Sequence, residues 1–391
     1  MYNLRLSAEQ LEFRDTVRDF VVREVKPVAL KSERLEASER PLLTAILDQA
    51  AQMGLRTMAL GEDSGGAAAD LLTCCIVIEE LATGDVDVAA VLAETVRLSR
   101  IIFVPSTGPA QQYLPSFLAD DHCHLAFAGR GDTRLGANFH GPRAAPRATI
   151  TGSLADNGDV ILNGNAEGVR NAPIAKLFAV EVVTDRRSEF LLVPADTPGL
   201  SVLAQASGPR GHGVVGSVAF ADCRVPADQR LDGRLIDIAV EQGGPLDQAL
   251  NLGIGRAAYE AALDYVPLRV QGGRRIVEHQ AIGAKLAEIA VSLEVARAAV
   301  WRAAFAADHP EAIADRSLPD LPLAMMAKVF TSGAIYRAAK DAAELFGAMG
   351  VMRDMPLQKY VHDALICLHA GNGNADDKLR IAEALAGYRR P

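Results

Sequence analysis

Arg269 directly precedes the charged turn VQGGRRIVEHQ, and Gln280 closes it, eleven residues further on. Both are hydrogen-bond donors, and a guanidinium can grip phosphate oxygens in pairs through its fixed donor fork. The plain alternative is an exposed arginine beside a helix-surface glutamine. Gly347 and Gly350, in the run GAMG, could bring bare backbone against a ligand because neither has a Cβ, or could mark an ordinary helix break. Glu241, in VEQGGPLDQ, carries a carboxylate at an expected helix end, where solvation is the plain role. His122 and His124 alternate but lack a third ligand at metal-binding spacing, so they make no zinc site. No GxSxG elbow and no P-loop occurs, which leaves hydrolase and NTPase chemistry without a motif.

The elements that must position these groups fall into three stretches. Ser7 is a candidate helix cap, and Leu11, Phe13, Val17, Phe20 and Val21 lie near one helical face. Helical spacing continues to residue 121, broken at Pro27 and at GEDSGG. From 122 to 232 short apolar runs alternate with turn signals, including Asn157-Gly158, which predicts an antiparallel β module. From 233 to 391 helical spacing returns, with Ile282, Leu286, Ile289 and Leu293 in one stripe. The expected class is therefore α+β and multi-domain: an N-terminal helical domain (1–121), a central antiparallel β domain (122–232) and a C-terminal helical bundle (233–391).

Composition bounds the function. With 391 residues, 49% of them hydrophobic and 23% charged, the chain can bury more than one core. A net charge of −9 argues against nucleic acid, whose binding draws on clustered Lys and Arg. The cysteines, Cys74, Cys75, Cys123, Cys223 and Cys367, are odd in number and lack CxxC spacing, which suits a reducing compartment. MYNLRLSAEQLEF turns polar too early for a signal peptide, and no apolar run reaches the ~18 residues of a membrane span. The cytoplasm is the expected location.

The order of helices, β module and helices resembles the acyl-CoA dehydrogenase family over nearly the whole chain. GEDSGGAAADLLTCCIVIEELATGD, with Glu79 and Glu80, resembles the family's early GG and paired-Glu helix. DNGDVILNGNAEGVRNAP, PADTPGLSV and FADCRVP resemble its β module, and Arg269 with Gln280, Gly347 to Gly350, and His362-Asp363 follow in family order. The resemblance implies a tetramer with flavin adenine dinucleotide (FAD) held between subunits, an acyl-CoA thioester substrate, and an electron-transfer flavoprotein as acceptor. It assigns Arg269 and Gln280 to the FAD diphosphate and the Gly347–Gly350 turn to the adenine half. Asn372 falls where the family has a Thr beside its catalytic Glu, and the resemblance places it with the cofactor-binding residues.

Several positions depart from the family pattern. The run LHAGNGN puts Ala370 where many members carry the base, and a second family location falls on Gly243, two residues from Glu241. Gly168 and Arg170 replace an aromatic and a Thr or Ser expected at the flavin ring. The stretch from Ala128 to Gly136 replaces a Thr/Ser-Glu-Pro segment. Gly272 replaces an aromatic, Glu344 a Gln and Ala348 a Gly. The expectation is a subunit of a heteromeric enzyme that α,β-desaturates an acyl-CoA, sharing FAD with a sister chain. The alternatives are a complete flavoenzyme with a non-standard base and a non-enzymatic acyl-CoA-binding or scaffold homologue.

Overall fold

The computed structural model describes residues 5–35, 40–104, 108–129, 150–184, 187–204, 211–309, 311, 322–370, 373–386 and 388; at 187, 204, 234 and 236–243 only the backbone is described. In chain order the helices of the first part are α1 (Ala8–Phe20), α2 (Lys26–Ala29), α3 (Thr44–Gln52), α4 (Leu71–Ala82), α5 (Val86–Ile102) and α6 (Leu114–Ala119). The strands follow: β1 (His124–Ala128), β2 (Ile150–Leu154), β3 (Val160–Arg170), β4 (Ala175–Thr184), β5 (Arg187–Pro194), β6 (Leu200–Ala204), β7 (Val215–Val225) and β8 (Arg230–Leu231). Then come α7 (Arg234–Tyr265), a hairpin of β9 (Val270–Gln271) and β10 (Arg274–Arg275), α8 (Gln280–Asp308), α9 (Leu323–Leu345), α10 (Leu357–His369) and α11 (Gly373–Ala386). This is a helical N-terminal part, a central mixed sheet and a helical C-terminal part.

Packing divides the chain into two units. The first holds residues 1–43, 71–90 and 244–388; the second holds 44–70 and 91–243, with the last three residues of the chain.

In the first unit, Ser7 caps α1 as its sequence suggests. Its hydroxyl accepts from Gln10 N at 3.1 Å while Gln10 Oε1 accepts from Ser7 N at 3.0 Å, a reciprocal capping box. Val17, Phe20 and Val21 are buried, whereas Leu11 stays 36% exposed, so the apolar face is narrower than its spacing suggests. Helix α4 is apolar on nearly every side and buried along its length, as expected of a central helix. Its acidic end, Glu79 and Glu80, is neutralised in place. Arg256 Nη1 donates to Glu80 Oε1 at 2.8 Å and to Glu79 Oε1 at 3.1 Å, Arg18 Nη2 donates to Glu80 at 2.8 Å, and Arg297 Nη2 donates to Glu79 at 2.8 Å. Burial alone would raise the Glu80 carboxyl, but Arg256 and Arg18 outweigh it and hold the group below the ordinary carboxylate range. A second buried set joins Asp363 of α10 to Arg40 at 2.6 Å and Lys359 at 2.7 Å. On α8, Ile289 and Leu293 are buried, with Ile282 and Leu286 half-buried beside them.

In the second unit the strands form one sheet in the order β6-β7-β3-β2-β4-β5-β8, with β1 also on β4. The sequence predicts antiparallel pairing, which holds for β2 with β3, β3 with β7, β4 with β5, β5 with β8 and β6 with β7. The β1–β4 and β2–β4 pairings are parallel, which corrects that expectation. Strands β1 and β4 are buried almost throughout rather than alternating, and a short apolar run covered on both faces does not by itself name the direction of its neighbour. Asn157-Gly158 does form the turn between β2 and β3. One apolar cluster lies within the β module, around Val160, Phe178, Val193 and Phe220. Another joins the sheet to α5 and α6 through Leu98, Phe117, Leu177 and Phe190.

Candidate functional site

The residues with binding chemistry in the first unit converge on the start of α8 and the end of α9. Helix α7 ends at Tyr265, and the chain turns so that Arg269 N donates to Tyr265 O at 3.2 Å. Arg269 is exposed, its Nη2 donating to Gln271 Oε1 at 3.5 Å, while its carbonyl accepts from Ile276 N at 2.8 Å. Gln280 is the first residue of α8 and is exposed.

The Gly347 turn lies close to this segment because Phe346, the residue before it, stacks on Tyr265 with ring centroids 4.0 Å apart and an interplanar angle of 11°. Helices α8 and α9 are tied by Lys285, which pairs with Glu344, and Glu344 also accepts from Lys340 at 3.0 Å. Those two hydrogen bonds lower the Glu344 carboxyl from its ordinary value. The structure therefore brings Arg269, Gln280 and the Gly347 turn onto adjoining elements of one unit. Sequence reasoning missed the Tyr265–Phe346 stack; an aromatic four residues before Arg269 and another directly before Gly347 were its signal.

The two glycines differ. Gly347 has φ +58° with nothing within 4 Å of the place a Cβ would take, so its backbone is open to a ligand. A Cβ on Gly350 would lie 2.4 Å from Ala343 O, so that glycine is required by the close of its own helix.

Ala370 caps α10 with extended backbone (φ −64°, ψ 145°) and is half-buried. Asn372 lies outside the described residues. Glu241 and Gly243 fall in the part of α7 whose side chains lie outside them. Of the Ala128 to Gly136 stretch, only Ala128 and Gly129 are described.

In the second unit, Gly168 sits at an irregularity of the β3–β7 ladder between Ala166 and Val169, with φ +70° and open space around its Cβ position. Arg170, two residues on, is half-buried. Next to it, Asn171 is wholly buried in the left-handed region at φ +61°. Its Nδ2 lies 2.9 Å from Val91 O, 3.2 Å from Leu125 O and 3.3 Å from Thr95 Oγ1, so one amide joins β3's exit to α5 and β1. Thr95 Oγ1 is in turn 3.1 Å from His124 Nδ1. Burial, then the positive charge of Arg56, lowers His124 to about 4 and keeps it neutral. His122 instead meets Asp48 at 3.0 Å, and no group of metal-binding side chains occurs among the described residues. Gly211-His-Gly-Val-Val-Gly216 has the lettering GxGxxG, but it leads into β7. It therefore lacks the strand-to-helix turn of a dinucleotide fingerprint.

Comparison with known proteins decides the relationship. Two family models match: acyl-CoA dehydrogenase, N-terminal domain, over residues 7–121, and acyl-CoA dehydrogenase, C-terminal domain, over residues 247–384. An acyl-CoA dehydrogenase of Bacillus subtilis (strain 168) is 30% identical over 400 residues, spanning 98% of this chain and all of its own. The chain belongs to the acyl-CoA dehydrogenase family. Butyryl-CoA dehydrogenase from Megasphaera elsdenii shares the fold, with a TM-score of 0.80 at 22% identity over 98% of this chain and 99% of that one. So does the structure described as PigA with FAD and proline, with a TM-score of 0.81 at 20% identity over 98% of both chains.

Two described positions that the sequence singled out offer little chemistry of their own. Ala370 has no group that exchanges a proton, and Gly168 offers no ring. A side chain placed at Gly168 would have to adopt a left-handed backbone, which L-residues do at a cost of about 1–2 kcal/mol.

Proposed function

We propose that this chain is one subunit of a heteromeric acyl-CoA dehydrogenase that α,β-desaturates an acyl-CoA thioester. Arg269, Gln280 and the Gly347 turn are its contribution to an FAD shared with a sister chain, which provides the ring pocket and the base. The observation that carries this is the contrast between the two halves of a cofactor. The residues suited to the diphosphate and adenine half fit: Arg269 and Gln280 are exposed donors, and Gly347 offers open backbone. The residues this chain has for the ring half do not fit, since Gly168 gives no stacking surface and Ala370 no base.

FAD, where bound, supplies the hydride acceptor. This chain's own part is to hold the phosphates and orient the cofactor, and no proton transfer is assigned to it. Gly350 is left out of the contact set because its own helix accounts for it.

The family resemblance supports a tetramer and an electron-transfer flavoprotein as acceptor. The five cysteines are free and buried, which supports a reducing compartment such as the cytoplasm. No helix among the described residues is long and apolar enough to cross a membrane.

Co-expression with a candidate sister chain tests this. The purified complex should carry about one flavin per pair of chains, and Arg269→Ala in this chain alone should strip flavin from it. Unchanged flavin content in Arg269→Ala and Gln280→Ala complexes contradicts the assignment.

A further inference from the structure

The β9–β10 hairpin carries more cationic chemistry than Arg269 alone. Gly272 and Gly273 have φ +65° and +80°, the two positive values of a type I′ turn, which sets the register of the strands. Arg274 lies opposite Gln271 and Arg275 opposite Val270, and the Ile276 N to Arg269 O bond of 2.8 Å extends the ladder by one pair. Side chains alternate between faces along a strand, and directly opposed residues share a face. Arg269, Gln271 and Arg274 therefore project from the same face. Arg269 and Arg274 are diagonal neighbours, a relationship that sets Cα atoms about 7–8 Å apart.

Arg274 is held there by His279. The imidazole occupies the N-cap position of α8 but caps nothing with its side chain. Instead it folds back under the turn. Nδ1 lies 3.2 Å from Arg274 Nη2, Nε2 lies 3.1 Å from Gln271 O, and Cε1 lies 3.5 Å from where a Gly272 Cβ would be. These contacts fix the tautomer. A guanidinium never accepts a hydrogen bond, so Nδ1 must be the acceptor. The ring's one proton is then on Nε2, which donates to the carbonyl of Gln271. A glycine at 272, where the family has an aromatic, leaves the room that the imidazole uses. Gln280 directly follows His279, so the same ring ties the start of α8 to the hairpin.

We propose that Arg274, locked by His279, is a second guanidinium for the diphosphate of a bound dinucleotide, beside Arg269. This rests on the cofactor assignment above. Two forks on one face suit a diphosphate, whose two phosphoryl groups each present oxygens to pair. His279 is a positioning residue: it touches no ligand and acts by fixing where Arg274 points. Arg275, on the opposite face of the hairpin, is excluded from the clamp.

The test is calorimetric titration of the full chain with ADP, which has the diphosphate and adenine but no flavin ring, and with adenosine as the uncharged control. Arg274→Ala should weaken ADP binding about tenfold, the loss of one charge-assisted bond, and leave adenosine unchanged. His279→Ala should weaken it to a similar degree, and Arg274→Ala with His279→Ala together should be no worse than Arg274→Ala alone. His279→Gln, whose amide can accept from Arg274 and donate to Gln271, should restore binding. Arg275→Ala should have a smaller effect than Arg274→Ala.

If Arg269→Ala weakens ADP binding and Arg274→Ala does not, the clamp is wrong while the cofactor assignment stands. Failure of the unsubstituted chain to prefer ADP over adenosine overturns both.

Discussion

The rings of Tyr265 and Phe346 lie nearly parallel, 11° apart, with their centroids separated by 4.0 Å. This contact sets the end of α7, four residues before Arg269, against the end of α9, one residue before Gly347. Truncating either ring should loosen both binding segments. Phe346→Ala removes a buried ring and should cost about 3–5 kcal/mol of unfolding free energy. A double-mutant cycle with Tyr265→Ala should give a coupling of about 0.5–1.5 kcal/mol. Additive losses in urea unfolding would mean the stack contributes nothing beyond the burial of each ring.

The Glu79–Glu80 pair at the end of α4 depends on arginines that the chain supplies from far away, Arg256 at a separation of 177 residues from Glu79. Arg256→Met should destabilise the fold by about 3–5 kcal/mol, because it leaves buried carboxylates short of a partner. The Glu80 carboxyl is held below its ordinary value, so its contribution is present above the unfolded value near 4.5 and is lost as pH falls through the folded one. Glu80→Gln should flatten stability against pH below about 4.5. Unfolding midpoints measured from pH 3 to 7, on the order of half a unit apart, would expose an unchanged slope.

His124 is likewise held below its ordinary value, so it too loses stability as pH falls, over a higher window. Folded, its value is about 4; unfolded, it is about 6.5. Between these the unfolded chain binds a proton that the folded chain does not. The stability from a neutral His124 is therefore full above about pH 6.5 and declines as pH drops toward about 4, by on the order of 3 kcal/mol. His124→Gln should remove that part of the slope while keeping a partner for Thr95. Parallel pH profiles for the two proteins would contradict the assignment.

Two glycines should respond to alanine for different reasons. At Gly168 there is room for the methyl, and the positive φ alone should cost about 1–2 kcal/mol. At Gly350 the methyl would meet Ala343 O, and overpacking against backbone should cost about 2 kcal/mol or more. Thermal unfolding of the two variants checks the ranking, and a larger loss at Gly168 would reverse it.

Local chemistry was the legible part of the sequence. Ser7 announced its cap, Asn157-Gly158 its turn, and Ile289 and Leu293 their buried stripe, because each is decided by a few neighbouring residues. The donors Arg269 and Gln280 were legible as well. What escaped was decided by distant partners. The amide of Asn171 reaches Val91, 80 residues back, and the nearly continuous apolar runs of β1 and β4 do not name the direction in which those strands pair. His279 was legible only as part of a charged turn. Its attachment to Arg274 depends on a hairpin register that Gly272 and Gly273 set.

The proposal of a shared flavin is tested most directly by the visible absorption spectrum of this chain purified alone, with a protein concentration to give stoichiometry. A subunit that lends only the diphosphate and adenine contacts should be colourless, or nearly so, and should gain flavin absorbance when purified with its sister chain. One flavin per chain in the isolated protein would contradict the division of the site between two different subunits, and would place a complete ring pocket within copies of this chain.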